Sequence, residues 1–582
     1  MDQRIAHAYW VDDCIINSLG FSTREVVKGI ENYSTGLTIW HDKTPVCLID
    51  KQRLSHEIAH YKLGDYTRTA QLAVLALKKI NADLEGSRTI LILSTTKGDI
   101  EYLNSSFEKC YLSSLAQSIG RYFVMQNEAI IISNACISGV SAMITGARLI
   151  EAGMYDHVYV VGVDTLNDFI ISGFNAFKSV SAQICRPYDA ARNGLTLGEG
   201  CAAVHLTNNR ELSGNKILVA GGGISNDANH ISGPSRTGDG LYFAIEEAMK
   251  RAALLPNAVG FINTHGTATL FNDQMESKAL HLSRLLETPC NSLKPYFGHT
   301  LGASGVIESI LAAHQLHSGI VYGVKGYQTC GVPYPLNISA QHRQIEMESC
   351  IKTASGFGGC NAALVLCKEA FFQKNSGNRG SQSALGTDME NAAIADRKIA
   401  ITGHVEISQN GEMPFGEYIR LEYKLLQDSN LKFAKMDDLC KLGYVAAGKL
   451  LAGRELPYPA QRIAIILANK SASLESDLKH QAIVNQHNPQ GASPAVFVYT
   501  LPNIVAGEIA IRHKIKGENT FFVFPDKNLK FARTYAYYLL ENNYADAVIC
   551  GWCELLGQNY NAELFLLEKS EWKNLENNSN NN

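Results

Sequence analysis

The chain has 582 residues, a formal net charge of −4, and 46% hydrophobic against 19% charged residues. That balance suits a globular protein large enough for several domains, and it excludes a polyelectrolyte built to hold nucleic acid. The opening MDQRIAHAYWVDDC lacks a signal-peptide layout, no apolar run could span a bilayer, and the fourteen cysteines form no compact framework; reduced thiols and a cytoplasmic location are expected.

In chain order, residues 5–30 begin weakly apolar and end in a helix at about 23–32. A helix is predicted over 66–80, a buried strand over 89–94 and a short helix over 114–124. Ala129-Ile130-Ile131-Ile132 reads as a further strand. It leads into the small-residue turn Ser133-Asn134-Ala135-Cys136-Ile137-Ser138-Gly139 and a helix over 140–151 that Gly153 can close. Cys136 therefore sits at a helix N-terminus, where the dipole is expected to favour thiolate. A cysteine in such a place is otherwise an inert packed residue. A strand over 157–162 ends in Gly162-Val163-Asp164, and 175–200 is loop-rich, with Arg186-Pro-Tyr-Asp189 and Gly198-Glu-Gly200. A strand at 216–220, a helix at 240–254, a strand at 259–263 and a helix at 304–316 follow. Strands alternating with helices predict an α/β architecture with mostly parallel sheets covered on both faces.

Residues 371–398 turn to Gly, Ser, Asn, Gln and charge, as a linker does, and the Asn-rich 574–582 reads as a disordered tail. Between them the chain repeats the framework of its own beginning. A strand opens at 399–403, the helix 441–451 answers 66–80, 462–467 answers 88–93, and 544–551 answers 155–162. Counted back from Glu541 and Glu151, Cys136 falls on Asp526, or on Pro525 with a one-residue shift. Neither is a nucleophilic thiol.

Two histidines stand in glycine-bounded loops after apolar stretches. His265-Gly266-Thr267 precedes Asn272-Asp273 and Glu276; Lys294-Pro-Tyr-Phe-Gly298-His299 precedes Glu308. A structural zinc would need a fourth, closely spaced ligand. A thiolate with two imidazoles fits acyl chemistry better, with cysteine attacking a thioester and imidazoles stabilising an oxyanion. The loop Gly356-Phe357-Gly358-Gly359 can turn backbone N–H groups toward a substrate.

Together these motifs resemble a β-ketoacyl-acyl-carrier-protein synthase of the decarboxylating, elongating type across residues 1–370. The resemblance implies a thiolase-like fold, layered αβαβα, with pseudo-repeated halves at about 1–210 and 211–370. A linker would follow at 371–397, then an inactive, truncated thiolase-like half-domain at 398–572 resembling the N-terminal half, and a tail at 573–582. It also implies that Cys136 carries the acyl chain and that His265 and His299 hold the malonyl thioester carbonyl. Lys294 and Glu308 match a supporting charged pair. The N–H groups of Cys136 and Phe357 would form the oxyanion hole, with Gly356, Phe357 and Gly358 as the gate. No cofactor and no metal are expected. The implied partners are acyl- and malonyl-loaded acyl carrier protein and a homodimeric or heterodimeric ketosynthase-like subunit. The last His, in place of the Asn or Cys of starter-unit synthases and thiolases, favours elongation. Two segments depart from the family: the opening strand reads Val11-Asp12-Asp13-Cys14, and Asn134 and Ile137 flank the nucleophile. A chain-length-factor-like inactive subunit and a non-decarboxylating acyltransferase are the alternative functions.

Overall fold

The computed structural model describes residues 6–41, 44–377, 399–409, 413–486 and 492–569. Among them, sixteen strands form one mixed sheet. The first are β1 (Ala8–Asn17), β2 (Thr89–Ser94), β3 (Ile130–Ile132), β4 (His157–Asp164) and β5 (Gly200–Thr207). Next come β6 (Ile217–Asn226), β7 (Phe261–Asn263), β8 (Pro289–Asn291), β9 (Asn337–Ile338), β10 (Ser349–Gly356) and β11 (Cys360–Lys368). A C-terminal module adds β12 (Ile399–Ser408), β13 (Ile463–Asn469), β14 (Asn519–Val523), β15 (Ala547–Leu556) and β16 (Asn559–Lys569).

The principal helices are α1 (Thr23–Glu31), α2 (Arg68–Lys79), α3 (Leu112–Tyr122), α4 (Ser138–Glu151), α5 (Asp168–Ala176), α6 (Asp239–Arg251), α7 (Leu270–Leu282), α8 (Ser304–Ser318) and α9 (Glu369–Gly377). The module carries α10 (Asp438–Leu450), α11 (Leu474–Asn485), α12 (Pro494–Val498), α13 (Ile504–His513) and α14 (Leu529–Glu541). Among the described residues, no helix is long and apolar enough to cross a membrane.

The strand order is β9-β8-β7-β10-β11-β6-β1-β5-β4-β2-β3-β14-β13-β15-β16-β12. One five-strand pattern occurs three times in it: β3-β2-β4-β5-β1, β8-β7-β10-β11-β6 and β14-β13-β15-β16-β12. Within each unit the inner strands run parallel, as β2 does with β3 and β4, while the returning strands are antiparallel, as β5 is to β4 and β1. The expectation of mostly parallel sheets is thus corrected to a mixed sheet. Returning strands such as β15 to β16 need only a short turn, so no crossover helix constrains them to be parallel.

Alternation places the strand residues in two cores. Ile90, Ile92, Ile130 and Ile132 face α4 and α8, while Leu91, Leu93 and Ile131 face α2. Burial on both faces explains why these strands read as unbroken apolar runs. The central helices α4 and α8 cross at Gly139 and Gly305. A Cβ on Gly305 would stand 2.3 Å from the Val140 nitrogen, so only glycine permits this approach.

The module shares both cores with the preceding chain: Leu467 and Val505 join one, Ile466 and Phe522 the other. Its β14 covers the edge of β3, pairing antiparallel through Phe522 with Ile132 and Val523 with Ile131. An exposed apolar edge strand would otherwise invite association. Two buried ion pairs cross the same boundary, Lys97 with Asp477 at 2.6 Å and Arg148 with Glu518 at 2.7 Å.

The predicted linker starts later than residue 371, because Glu369–Gly377 is helical and Phe372 packs into a core beneath it. The rest of that linker and the predicted tail lie outside the described residues. The divergent opening segment still forms a strand. It bulges between Trp10 and Asp12, and Asp13 accepts bonds from the Trp10 indole and the Thr23 hydroxyl.

Candidate active site

Cys136 follows β3 on a tight turn. Ala135 adopts the left-handed region at φ 49°, unusual for a residue with a Cβ, and the turn feeds directly into α4. Ser138 Oγ accepts from the Asn134 N–H (2.7 Å) and donates to the Ala135 carbonyl (2.6 Å), locking the turn from inside. Asn134 reaches into the module: its Nδ2 donates to the Asn519 carbonyl (2.8 Å), and its Oδ1 accepts from the Phe521 N–H (2.9 Å). The residue that departs from the family pattern therefore extends the β3–β14 ladder by one side chain.

Burial pushes the Cys136 thiol up to about 12, against a smaller opposing pull from Lys294. Burial thus favours the thiol, opposite in direction to the pull expected of the helix N-terminus.

His265 follows β7 and His299 follows the Lys294–Phe297 turn; both are buried. One ligand-capable atom from each of Cys136, His265 and His299 lies within 4.8 Å of the others, and the two imidazoles meet edge to face at 5.3 Å. Burial, followed by the charge of Lys294, holds both rings well below the ordinary histidine value, so both are neutral near pH 7. The Leu301 N–H donates to His299 Nδ1 (3.3 Å), which leaves the proton of the neutral ring on Nε2. His299 Nε2 and His265 Nδ1 are buried without partners among the described residues. These three donors could also hold a metal ion, although a structural zinc takes four protein ligands.

Beneath the histidines lies a charged layer. Lys294 Nζ donates to the His265 carbonyl and to Glu308, both at 2.6 Å, and Lys352 reaches the other Glu308 oxygen, also at 2.6 Å. Burial lowers Lys352 to about 8, against the pull of Glu308. Glu276 accepts from the His265 N–H (2.8 Å), the Gly266 N–H (2.6 Å) and the Tyr188 hydroxyl (2.8 Å), which fixes the His265 loop. Asp273 accepts from the Tyr188 N–H (2.7 Å), so the Arg186-to-Asp189 segment braces that loop. Glu199, by contrast, takes a bidentate bond from Arg68 and acts as a brace under α2.

The loop Gly356-Phe357-Gly358-Gly359 closes the site. A Cβ on Gly356 would stand 3.1 Å from the Cys136 nitrogen, so the loop lies directly against the turn. Cys136, His265, His299 and Phe357 line one cavity of about 220 Å³, with Phe174, Phe177, Thr267 and Phe271 among the other walls. All the residues expected at the site are thus brought together: Cys136, His265 and His299 at its centre, Lys294 and Glu308 below, and Gly356, Phe357 and Gly358 above.

Two participants were missed. Lys352 is a charge inside the buried strand β10, and that anomaly was its signal. Asp164 accepts from the Thr96 N–H (3.0 Å), the Thr95 hydroxyl (2.9 Å) and the Gly302 N–H (2.7 Å), tying the ends of β2 and β4 to the His299 loop. Burial raises its carboxyl.

Residues 81–211 match the family model for the beta-ketoacyl synthase N-terminal domain, and 217–327 match that for the C-terminal domain. Over these two stretches the chain is similar to the beta-ketoacyl synthase family. Over 250 residues it is 33% identical to 3-oxoacyl-[acyl-carrier-protein] synthase 2 of Rhizobium meliloti, an overlap covering 40% of this chain and 59% of that relative. It thus spans about three fifths of the curated relatives it matches (61% and 59%). The ketosynthase ApeO, solved in complex with its chain length factor ApeC from Xenorhabdus doucetiae, aligns with TM-score 0.56 and 27% identity over 63% of this chain and 99% of its own. The PfaC keto synthase-chain length factor aligns with TM-score 0.72 and 14% identity, over 97% of this chain and 78% of its own. At that identity the likeness is one of fold, and it includes the module. The ketosynthase fold of this chain is thiolase-like.

Proposed function

We propose that the chain catalyses decarboxylative Claisen condensation of a Cys136-bound acyl group with malonyl-acyl carrier protein, giving 3-oxoacyl-acyl carrier protein in cytoplasmic fatty acid, polyene or polyketide assembly. The observation that carries this reading is the convergence of Cys136, His265 and His299 within 4.8 Å, beside the Phe357 loop.

In the first half-reaction Cys136 Sγ attacks the acyl thioester carbonyl. The oxyanion forms against the N–H groups of Cys136 and Phe357, and the carrier thiol leaves with the proton that Cys136 gives up. In the second, malonyl thioester loses its carboxylate as carbon dioxide, and the electron pair becomes an enolate. The Nε2–H of neutral His299 donates to the enolate oxygen, and His265 stands beside it. The enolate carbon then attacks the acyl carbonyl, and the C–S bond breaks to return the Cys136 sulfur, which recovers a proton. Lys294, Lys352 and Glu308 keep the histidine loops in place without touching the reacting atoms.

The module at 398–572 is read as a degenerate ketosynthase-like half that kept the framework and lost the nucleophile. It occupies the β3 edge, beside the nucleophile turn, where a ketosynthase-like partner subunit would pair. Acyl carrier protein is the remaining partner.

Incubation with a panel of acyl- and malonyl-carrier proteins tests the reading. Intact-mass analysis should find one acyl group per chain, absent from Cys136→Ala, and 3-oxoacyl products from the wild type. Acyl loading on Cys136→Ala removes the nucleophile assignment; loading without carbon dioxide release favours simple acyl transfer.

A further inference from the structure

Asn503 occupies the N-cap position of α13, where an asparagine side chain ordinarily accepts a bond from its own helix. Here it makes no such bond. Its Nδ2 donates instead to the Phe357 carbonyl, 2.8 Å away, and lies 3.7 Å from Cys360 Sγ. Asn503 is 2% exposed, and its Oδ1 has no partner among the described residues. Asn503 thus forgoes its cap and leaves a buried oxygen unsatisfied in order to hold a loop of the active site.

The loop is shaped for this contact. Gly358 has φ 91°, and a Cβ there would stand 2.5 Å from Asn503 Nδ2. A Cβ on Gly507, one turn along α13, would stand 2.8 Å from the Gly358 carbonyl oxygen. The Phe357 ring lies 5.2 Å from Phe177 and 6.4 Å from Phe174, and both of those rings pack on Phe497 of the module. The module therefore grips Phe357 by its backbone directly and by its ring through two intermediaries.

We propose that Asn503 is a positioning residue, a latch the C-terminal module supplies to the Phe357 loop, which keeps malonyl from reacting before Cys136 is acylated. The proposal rests on the ketosynthase reading above. With the latch released, malonyl thioester enters an unacylated site and loses carbon dioxide. Its enolate, with no acyl carbonyl to attack, takes a proton from water and leaves as acetyl thioester. The second component of the chain is then part of the substrate-ordering machinery as well as a cover for β3.

The test uses full-length wild type, Asn503→Ala and the isosteric Asn503→Asp, which replaces the donor with a carboxylate. Each is given malonyl-acyl carrier protein with and without an acyl donor. Loss of one buried hydrogen bond should raise the ratio of donor-independent carbon dioxide release to condensation about fivefold to tenfold. A role in folding alone would slow both reactions together, and an unchanged ratio in a folded variant overturns the latch. Hydrogen–deuterium exchange in peptides spanning 356–360 should quicken in the variants while β2 and β4 stay protected; unchanged loop exchange also overturns it. If wild type neither condenses nor decarboxylates malonyl, the ketosynthase reading falls, and the exchange measurement still decides whether Asn503 holds the loop.

Discussion

Ile132 and Phe522 pair with each other across the antiparallel junction of β3 and β14, separated along the chain by the same interval as Glu151 and Glu541. Corresponding residues facing one another mark a two-fold axis, so the junction has the symmetry of an isologous dimer interface built inside one chain. The same interval carries Cys136 to Asp526. The Asp526 side chain is 90% exposed and faces Lys470 at 3.4 Å.

Replacing either imidazole should impair condensation more than acyl loading. His299→Ala and His265→Ala each remove a group beside the enolate oxygen, a loss of about 3 kcal/mol or roughly a hundredfold in rate. Single-turnover measurements of loading and condensation separate the two steps. Equal loss in both would move the imidazoles to the first half-reaction.

The raised Cys136 thiol sets the pH dependence of its alkylation. Thiolate falls tenfold per unit below the thiol's value, and that value lies at about 12. Inactivation by iodoacetamide should therefore climb steadily through pH 7–10 without the plateau an activated thiolate gives. A plateau near neutrality would mean the helix N-terminus dominates after all.

Neutral histidines predict the acid limb. Both imidazoles are held well below the ordinary value, so they stay unprotonated as pH drops from 7.5 to 6. Condensation should lose nothing to histidine protonation in that range. A drop following an ordinary histidine titration in the pH–rate profile would contradict this.

Glu308 is shared by two buried lysines, and removing Lys352 leaves its charge balanced by Lys294 while depriving Oε2 of its partner. Lys352→Met should cost about 1–3 kcal/mol of stability, the range for stranding a buried polar group. Denaturant unfolding measures it, and a change below about 1 kcal/mol would show that Lys294 alone suffices.

Asn134→Ala should destabilise the β3–β14 junction. It strands the Asn519 carbonyl and the Phe521 N–H, both buried, at about 1–3 kcal/mol per unpaired group. The same unfolding measurement checks it; no loss of stability would deny the side chain its bridging role.

The site was legible because its chemistry is local. Each of Cys136, His265 and His299 sits in a short strand–turn segment whose small residues and glycines are visible in sequence. Framework strands such as Thr89–Ser94 were legible for a related reason, since burial on both faces demands an unbroken apolar run. Helix α9 was not, because Phe372 is held by a core that lies elsewhere in the chain, and its polar neighbours resemble a linker.

The sequence by itself singled out Cys136, His265, His299, the Lys294–Glu308 pair and the glycine loop as candidates for one site, and a later stretch that resembles the beginning of the chain. The tertiary structure decided what no local pattern encodes: that the C-terminal module continues the sheet from β3, that Lys352 joins Glu308, that burial raises the Cys136 thiol, and that Asn134 and Asn503 tie the candidate site to the module. The physical reason is distance along the chain. Turn geometry and strand burial are fixed by neighbouring residues, whereas desolvation of a thiol and a bond between Asn503 and Phe357 arise only when remote segments pack together and exclude water.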